Sequence, residues 1–481
     1  GVTHPALVVI IGNPGAGKTI LASQIIFNAA SQGTKTLVFT TFSEGNTQYI
    51  QHLQTLAFFD EASLGDTLQV FSLASVMTEQ DSSAAAAIAR IIRVSGAKLV
   101  LLDGFQGAVS LGLGEHDMRL LLAELSNRIR YLDATILVTI AGATRNSHFN
   151  EQLTVADIAI GLDYSVEGRR HQRLLEIAKL RGRAQWPGLH SYAITGAGVE
   201  IFPRLESYPL TQVHQNTDTR VPFHLPELDQ LMEGGPNTAT TTLLAGAPGV
   251  GKTTLGLHWA VAEARPDATS VFLSFAEHQE QLERKAAAFG LDLRAAIASS
   301  SVRVVRMSSA DLNPDRVAQI IMGELRSGAV RRLVIDDIAV LLHELGERTR
   351  DYLSALNDIV YNANISSMYL LEITPFDGLR VNLTNTPLAS LGDNIIVVQQ
   401  YEITGLLRRL LAVLRMRLSF FDRTLRELVL DETGIRILSP EATEAGLLAA
   451  GAHMSGGVAP GQAERDNVVA PATAEHGKGT S

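Results

Sequence analysis

The chain has 481 residues, of which 46% are hydrophobic and 19% charged, with no cysteine and a net charge of −10. Such a length and composition give a globular protein with room for two or three domains. The missing cysteine excludes disulfides, thiolate zinc sites and cysteine nucleophiles, and no apolar run is long enough to span a bilayer. The acidic balance argues against nucleic acid as the main partner. With no secretory signal at its start, the expectation is a soluble, cytoplasmic protein.

In chain order, the first predicted element is a strand, Leu7-Val8-Val9-Ile10-Ile11, whose unbroken apolar run fits a parallel strand covered on both faces. It leads into Gly12-Asn13-Pro14-Gly15-Ala16-Gly17-Lys18-Thr19, which matches G-x-x-x-x-G-K-[ST]. In that pattern glycines let backbone N–H groups wrap phosphate oxygens, the lysine reaches the β- and γ-phosphates, and the hydroxyl serves Mg²⁺. A helix expected over Thr19–Asn28 adds an N-terminus that favours anions. A strand ending in a carboxylate follows, Leu37 to Glu44, then an apolar strand ending in an acid, Leu99-Val100-Leu101-Leu102-Asp103, which reads as a Walker B strand. Late in the unit comes a basic segment, Lys179-Leu180-Arg181.

After a polar stretch the series repeats. Thr242-Leu243-Leu244-Ala245 leads into Gly246-Ala247-Pro248-Gly249-Val250-Gly251-Lys252-Thr253 and a helix expected over Thr253–Glu263. The run Val271 to Glu277, then Leu333-Val334-Ile335-Asp336, then Arg415-Met416-Arg417 complete the second series. Glu44 and Glu277 lie 26 and 25 residues beyond their loop lysines, Asp103 and Asp336 lie 85 and 84 beyond, and Lys179 and Arg415 lie 161 and 163 beyond. One accidental loop is plausible in a chain with 40 glycines, whereas two in equivalent contexts are not. The spacing identifies a duplicated unit. Strands alternating with helical stretches make each unit an α/β domain, a mostly parallel sheet flanked by helices with the nucleotide at the carboxyl ends of the strands. The expected boundaries are 1–203 for the first domain, 204–222 for a linker, 223–440 for the second domain and 441–481 for a tail whose composition predicts disorder.

Phosphoryl transfer is mostly positioning and charge neutralisation, and both units carry the parts. Lys18 and Lys252 are placed to neutralise phosphate. Thr19 with Asp103, and Thr253 with Asp336, are the candidates to hold Mg²⁺ directly or through water, and Glu44 and Glu277 to polarise the attacking group. Lys179, Arg181, Arg415 and Arg417 are candidates for an additional cation. A solvated strand-end carboxylate is the competing account of the two glutamates, and a solvated strand face competes evenly for the late cations. Asp337, one residue past Asp336, is expected on the opposite face by strand alternation.

The doubled loops, the strand-plus-glutamate elements, the stretch Glu167-Gly168-Arg169-Arg170 leading to residues 175–182, and its partner from Tyr401-Glu402 to Arg417 resemble the KaiC family over about residues 1–437. The resemblance implies two tandem RecA-like P-loop NTPase domains, ATP and Mg²⁺ at both loops, and hexameric rings with ATP bound between protomers. Lys179 and Arg181, or Arg415 and Arg417, would then reach the neighbouring protomer's nucleotide. The chain departs from the family where paired glutamates are usual: Ser43-Glu44 and Ala276-Glu277 each lose the first acid, which implies weak or rewired hydrolysis. Where clock members carry adjacent Ser-Thr phosphoacceptors the chain has Ala389-Ser390, leaving Ser390 as the candidate phosphoacceptor and Thr384 as a second hydroxyl. Arg415 and Leu418 replace a usual Lys and Gly, and Arg keeps the charge with different reach.

The function expected is that of a ring-forming, KaiC-like ATP-binding and hydrolysing protein with serine/threonine autokinase activity in its second domain. The alternative is an ATP-held regulatory scaffold with little hydrolysis and protein partners. A DNA-dependent RecA-type ATPase would need basic loops lining a channel, which the acidic balance disfavours.

Overall fold

The structure, a computed structural model, describes residues 4–40, 46–77, 83–104, 115–142, 154–167, 170–208, 219–373, 392–403 and 406–443. Glu44, Thr384, Ser390 and the tail beyond residue 443 lie outside the described residues.

The first sheet comprises β1 (Leu7–Gly12), β2 (Thr36–Thr40), β3 (Leu68–Ser72), β4 (Leu99–Leu102), β5 (Thr135–Ala141), β6 (Ile158–Glu167), β7 (Arg170–Leu180), β8 (His190–Thr195) and β9 (Gly198–Phe202). The second comprises β10 (Thr241–Gly246), β11 (Thr269–Ser274), β12 (Val302–Arg306), β13 (Val330–Asp336), β14 (Ser366–Glu372), β15 (Asn394–Ile403), β16 (Leu406–Met416), β17 (Arg426–Asp431) and β18 (Gly434–Ile437). Their spatial orders are β3-β2-β4-β5-β1-β6-β7-β8-β9 and β12-β11-β13-β14-β10-β15-β16-β17-β18, the same permutation twice. Pairing is parallel from β3 to β6 and antiparallel from β6 to β9, and the second sheet switches at the same place. The duplication read from spacing is therefore a duplication of topology, and the chain is two tandem RecA-like α/β domains.

Burial on both faces explains why the central strands are continuous apolar runs. Leu7 and Val9 enter the core on one side of the first sheet, while Val8 and Ile10 enter the core on the other. Leu243 and Leu244 divide in the same way in the second sheet. Each phosphate-loop strand thus sits at the centre of its domain, between two parallel neighbours, and delivers its loop at the carboxyl edge.

The two domains are joined by more than the chain. Leu205, within the stretch assigned to the linker, is 1% exposed and packs in the core of the second domain. Beside it Arg348 donates to Glu206 at 3.0 and 2.9 Å and to Asp315 at 3.2 and 2.7 Å. Ser191 of β8 donates to the same Asp315 at 2.7 Å, and Arg204 donates to Glu206 at 3.1 Å. Burial alone would raise the Glu206 carboxyl, but hydrogen bonds from Arg348 and Arg204 outweigh it and hold it down at about 2.

Asp315 is fully buried, so removing its guanidinium partner strands a charge. Arg348→Ala is expected to destabilise the protein by about 3 kcal/mol in urea unfolding, and a loss below about 0.5 kcal/mol would place this cluster among ordinary surface pairs. Because the Glu206 pKa is depressed on folding, its contribution is present above the ordinary carboxylate range and drains away as pH falls from about 4 toward about 2. Glu206→Gln should flatten the stability profile in that window.

Candidate nucleotide sites

Each loop turns from strand to helix at a glycine that no other residue replaces comfortably. Gly17 and Gly251 have φ of 87° and 104° and cap the helices Lys18–Ser31 and Lys252–Val261. A side chain on Gly12 would strike the carbonyl of Leu162, and one on Gly246 the carbonyl of Val398. These helices begin at the loop lysines themselves, one residue earlier than the sequence suggested, so their free N–H groups face the loop.

In both domains the lysine folds back over its own loop. Lys18 Nζ donates to the carbonyls of Gly12 and Asn13 at 2.7 and 3.0 Å, and Lys252 Nζ to those of Gly246 and Ala247, both at 2.9 Å. Burial lowers the pKa of both ammonium groups, opposed by Asp103 at the first and by Asp337, Glu372 and Asp336 at the second. The loop threonines meet the Walker B acids: Thr19 Oγ1 donates to Asp103 at 3.1 Å and Thr253 Oγ1 to Asp336 at 2.7 Å. A hydroxyl and a carboxylate brought together below a phosphate loop are the hard oxygen donors that suit Mg²⁺, which takes few protein ligands and keeps waters and phosphate oxygens.

The surroundings of the two acids differ. Asp103 also accepts from Thr139 Oγ1 at 2.7 Å, and the same hydroxyl accepts from Gly104 N at 2.7 Å. By register Thr139 pairs with Ile10 as Leu370 pairs with Leu244, so the second site has an apolar residue in that place. Burial pushes the Asp336 carboxyl up to about 6, reinforced by Asp337 and Glu277 against the Thr253 hydrogen bond. Asp337 is not turned away from the site as alternation predicted. The strand ends at Asp336, and Asp337 is the N-cap of the helix Ile338–Leu345, accepting from Ala339 N and Glu372 N.

Glu277 lies close enough to Asp336 to repel it. Lys285, from the helix Gln279–Ala288, donates to one carboxylate oxygen of Glu277, while the other is buried and has no hydrogen-bond partner among the described residues. An acceptor left without a donor beside the Walker B acid is what a water or hydroxyl on the reaction path would satisfy. Lys285, Thr139 and Glu372 are the residues sequence reasoning missed, while Asp337 was named but set on the wrong face although an acid directly before an apolar helix is an N-cap signal.

The late cations are not brought to their own loops. Lys179 pairs with Ala159, level with Val9, and Arg415 pairs with Ile395, level with Leu243. Each is three residues behind its loop's first glycine, about 10 Å along the strand. There they hold the sheet's opposite end. Lys179 donates to Thr154 O at 2.9 Å, Arg181 meets Asp157 at 3.3 Å, Arg415 donates to Gly392 O, and Arg417 meets Asp393 at 3.3 Å.

Fold and sites together define a tandem P-loop ATPase of the RecA-like class. The family profile described as "ATPase: KaiC" matches residues 1–206 and 221–442, and the chain belongs to that family. The circadian clock oscillator protein KaiC of Parathermosynechococcus lividus is 26% identical over 445 residues, covering 89% of this chain and 81% of the relative. That of Synechococcus elongatus is 25% identical over 438 residues, covering 88% and 83%. KaiC 1 of Synechocystis is 25% identical over 451 residues, covering 90% and 86%. Among the described residues no helix is long and apolar enough to cross a membrane.

The sign of the Asp336 shift gives a test. An acid whose folded pKa is raised binds extra protons when folded, so its contribution is best at low pH and is lost as pH rises from about 4 to about 6. Asp336→Asn is expected to stabilise the ligand-free protein at pH 7 by roughly 1–2 kcal/mol in urea unfolding while flattening that slope. An unchanged slope would mean that the carboxyl titrates as if exposed.

Proposed function

We propose that the protein is a ring-forming ATPase that binds ATP·Mg²⁺ at both loops, with each nucleotide completed by the late cations of a neighbouring protomer. The observation that carries this reading is the place of Lys179, Arg181, Arg415 and Arg417. They recur at matched positions in both domains, yet each stands at the end of its sheet away from its own loop. Cations so placed reach a phosphate only across an interface. Within one protomer, Lys18 and Lys252 would exchange loop carbonyls for phosphate oxygens, and Thr19 with Asp103, and Thr253 with Asp336, would hold Mg²⁺. The ion supplies charge neutralisation on the transferring phosphoryl group. Glu44 and Glu277 would orient the attacking hydroxyl or water.

Hydrolysis is proposed to be slow. Ser43 and Ala276 replace one acid of each pair, and the Lys285 ion pair occupies one oxygen of the glutamate that is left in the second site. This favours the second reading, a nucleotide-held regulatory scaffold, as the resting behaviour of the same machine. In the second domain the transfer would go to Ser390, an autokinase step made by the same loop. The relatives' naming as circadian clock oscillator proteins supports a regulatory output here too.

Incubation with γ-labelled ATP and Mg²⁺ separates these activities. Lys252→Ala is expected to abolish label on the protein and Ser390→Ala to remove its site, while Lys18→Ala weakens assembly measured by sedimentation. Label that survives both second-domain changes would rule out the autokinase. For the shared sites, protomers carrying Lys252→Ala, which have intact cations and an intact first loop, should restore labelling when mixed with protomers carrying Arg415→Ala and Arg417→Ala. No rescue on mixing, with ring assembly intact, would overturn the interprotomer assignment.

A further inference from the structure

At the end of each sheet opposite its phosphate loop, equivalent residues of the two domains reach different outcomes. Leu99 pairs with Thr36 and Thr135 in the first sheet as Arg332 pairs with Ser270 and Ser366 in the second. Lys98 therefore corresponds to Arg331, and Thr36 to Ser270. Asp133 and Asn364, each two residues before its strand, share the left-handed conformation at φ of 51° and 56°. His4 and Thr238 each precede the loop strand by three residues.

In the first domain this foot is closed. Asp133 takes Lys98 at 2.5 Å and His4 at 3.2 Å, His4 lies 3.0 Å from Thr135 Oγ1, and Thr36 donates to Thr67 O at 3.2 Å. In the second domain Thr, Asn and Ser replace His, Asp and Thr, and a cavity of about 260 Å³ opens. Arg220, Arg265, Arg331 and Arg332 line it against one lining carboxylate, Glu263. Arg332, 5% exposed, is held by Glu263 and the carbonyls of Trp259 and Ala262, and Arg220 and Arg265 have partners in Glu233 and Asp267. Arg331, which is exposed, donates among the described residues to the carbonyls of Gly328 and Val330 and has no carboxylate partner there. Ser270, 1% exposed and lining the cavity, has a buried hydroxyl without a hydrogen-bond partner. Donors have been kept or added while the acceptor that the first domain supplies as Asp133 has become a neutral amide. A buried polar group left in that state is costly unless something else satisfies it.

We infer that this cavity is a binding site for a phosphate-type oxyanion, seated beside Asn364, whose amide stands where the first domain has the Asp133 carboxylate, and held by Arg331 and Asn364 in a pocket that Ser270 also lines. Its volume lies just below the roughly 300 Å³ at which drug-sized pockets begin, so the ligand is a phosphate ion or a small phosphomonoester and not a whole nucleotide. The site is absent from the first domain and separate from both loops, which gives the second domain an input of its own.

The test uses the full chain with both loops saturated by a non-hydrolysable ATP analogue and Mg²⁺. Inorganic phosphate and glycerol phosphate are titrated against chloride of equal ionic strength, followed by calorimetry and by thermal stability. Saturable binding with stabilisation is expected, and the tighter of the two probes tells the free ion from the ester. Asn364→Asp, which restores the first domain's acid, and Arg331→Ala are each expected to weaken binding at least about tenfold, the factor carried by one charge-assisted hydrogen bond. Stabilisation equal to that of chloride, or undiminished binding in Asn364→Asp, would overturn the assignment. If the analogue itself fails to fill the loops, phosphate held there would be insensitive to Asn364→Asp, so failure of the ATPase reading and failure of this site remain distinguishable.

Discussion

Everything in each domain is arranged around one constraint: a strand buried between two parallel neighbours must end at a residue with no side chain and turn at once into a helix. Gly12 and Gly246 satisfy the first demand because the adjacent strand's carbonyl occupies the space of a Cβ. Gly17 and Gly251 satisfy the second through positive φ. Once that turn is made, the lysine, the threonine and the helix N-terminus share one small volume, and the acid at the tip of β13, or just beyond β4, is brought beneath them. The carboxyl edge of a parallel sheet is the one place where backbone donors, a fixed cation and a carboxylate converge without further construction.

The frame is common to both halves, but the electrostatics are not. In the first site a threonine from β5 meets the Walker B acid, whereas the second site has Leu370 there and surrounds its acid with Asp337, Glu277 and, near the lysine, Glu372. The residue of β5 that corresponds to Glu372 is Ala141, each being paired with the first glycine of its loop. Among the described residues the second site therefore gathers more acids around its metal-candidate aspartate, offset by Lys252 and Lys285. Two loops of one motif are tuned by neighbours that the motif does not contain.

The duplication, the sheet class and the loop motifs were legible because each is encoded locally, by apolar runs and by spacing from a lysine, and the same spacing picked out Asp103 and Asp336, which meet the loop threonines. The Asp337 expectation failed because alternation applies only while the strand lasts, and that strand gives way to a helix at this residue. Lys285 and Thr139 had no local signal, since each meets its partner from a different element of the sheet or its flanking helices. The same holds for Glu206, Asp315 and Arg348, which lie far apart in the chain and meet only after both domains have formed. Nor does spacing reveal where a strand's far end points. Spacing gives the recurrence of Lys179 and Arg415 but not their place, which the antiparallel return of β7 and β16 sets at the edge away from their own loops.

That antiparallel extension also ties the halves together. Ser191 and Tyr192 are consecutive on β8, so their side chains leave the strand on opposite faces. Ser191 donates to Asp315 in the second domain, and Tyr192 donates to the carbonyl of Ala16 in the first phosphate loop at 2.5 Å. Burial pushes the Tyr192 phenol up to about 12, so it stays a donor at any physiological pH. The first phosphate-type loop is thus joined through two adjacent residues to the ion cluster that seats the second domain. Arg348 of that cluster caps the helix Thr349–Asn362, which leads directly into β14 and Glu372. In the second domain Leu428 occupies the place of Tyr192, so β17 offers that loop no corresponding side-chain hydrogen bond. The first loop and the frame of the second domain are thus linked by a short polar path, and any coupling carried along it acts equally in both directions.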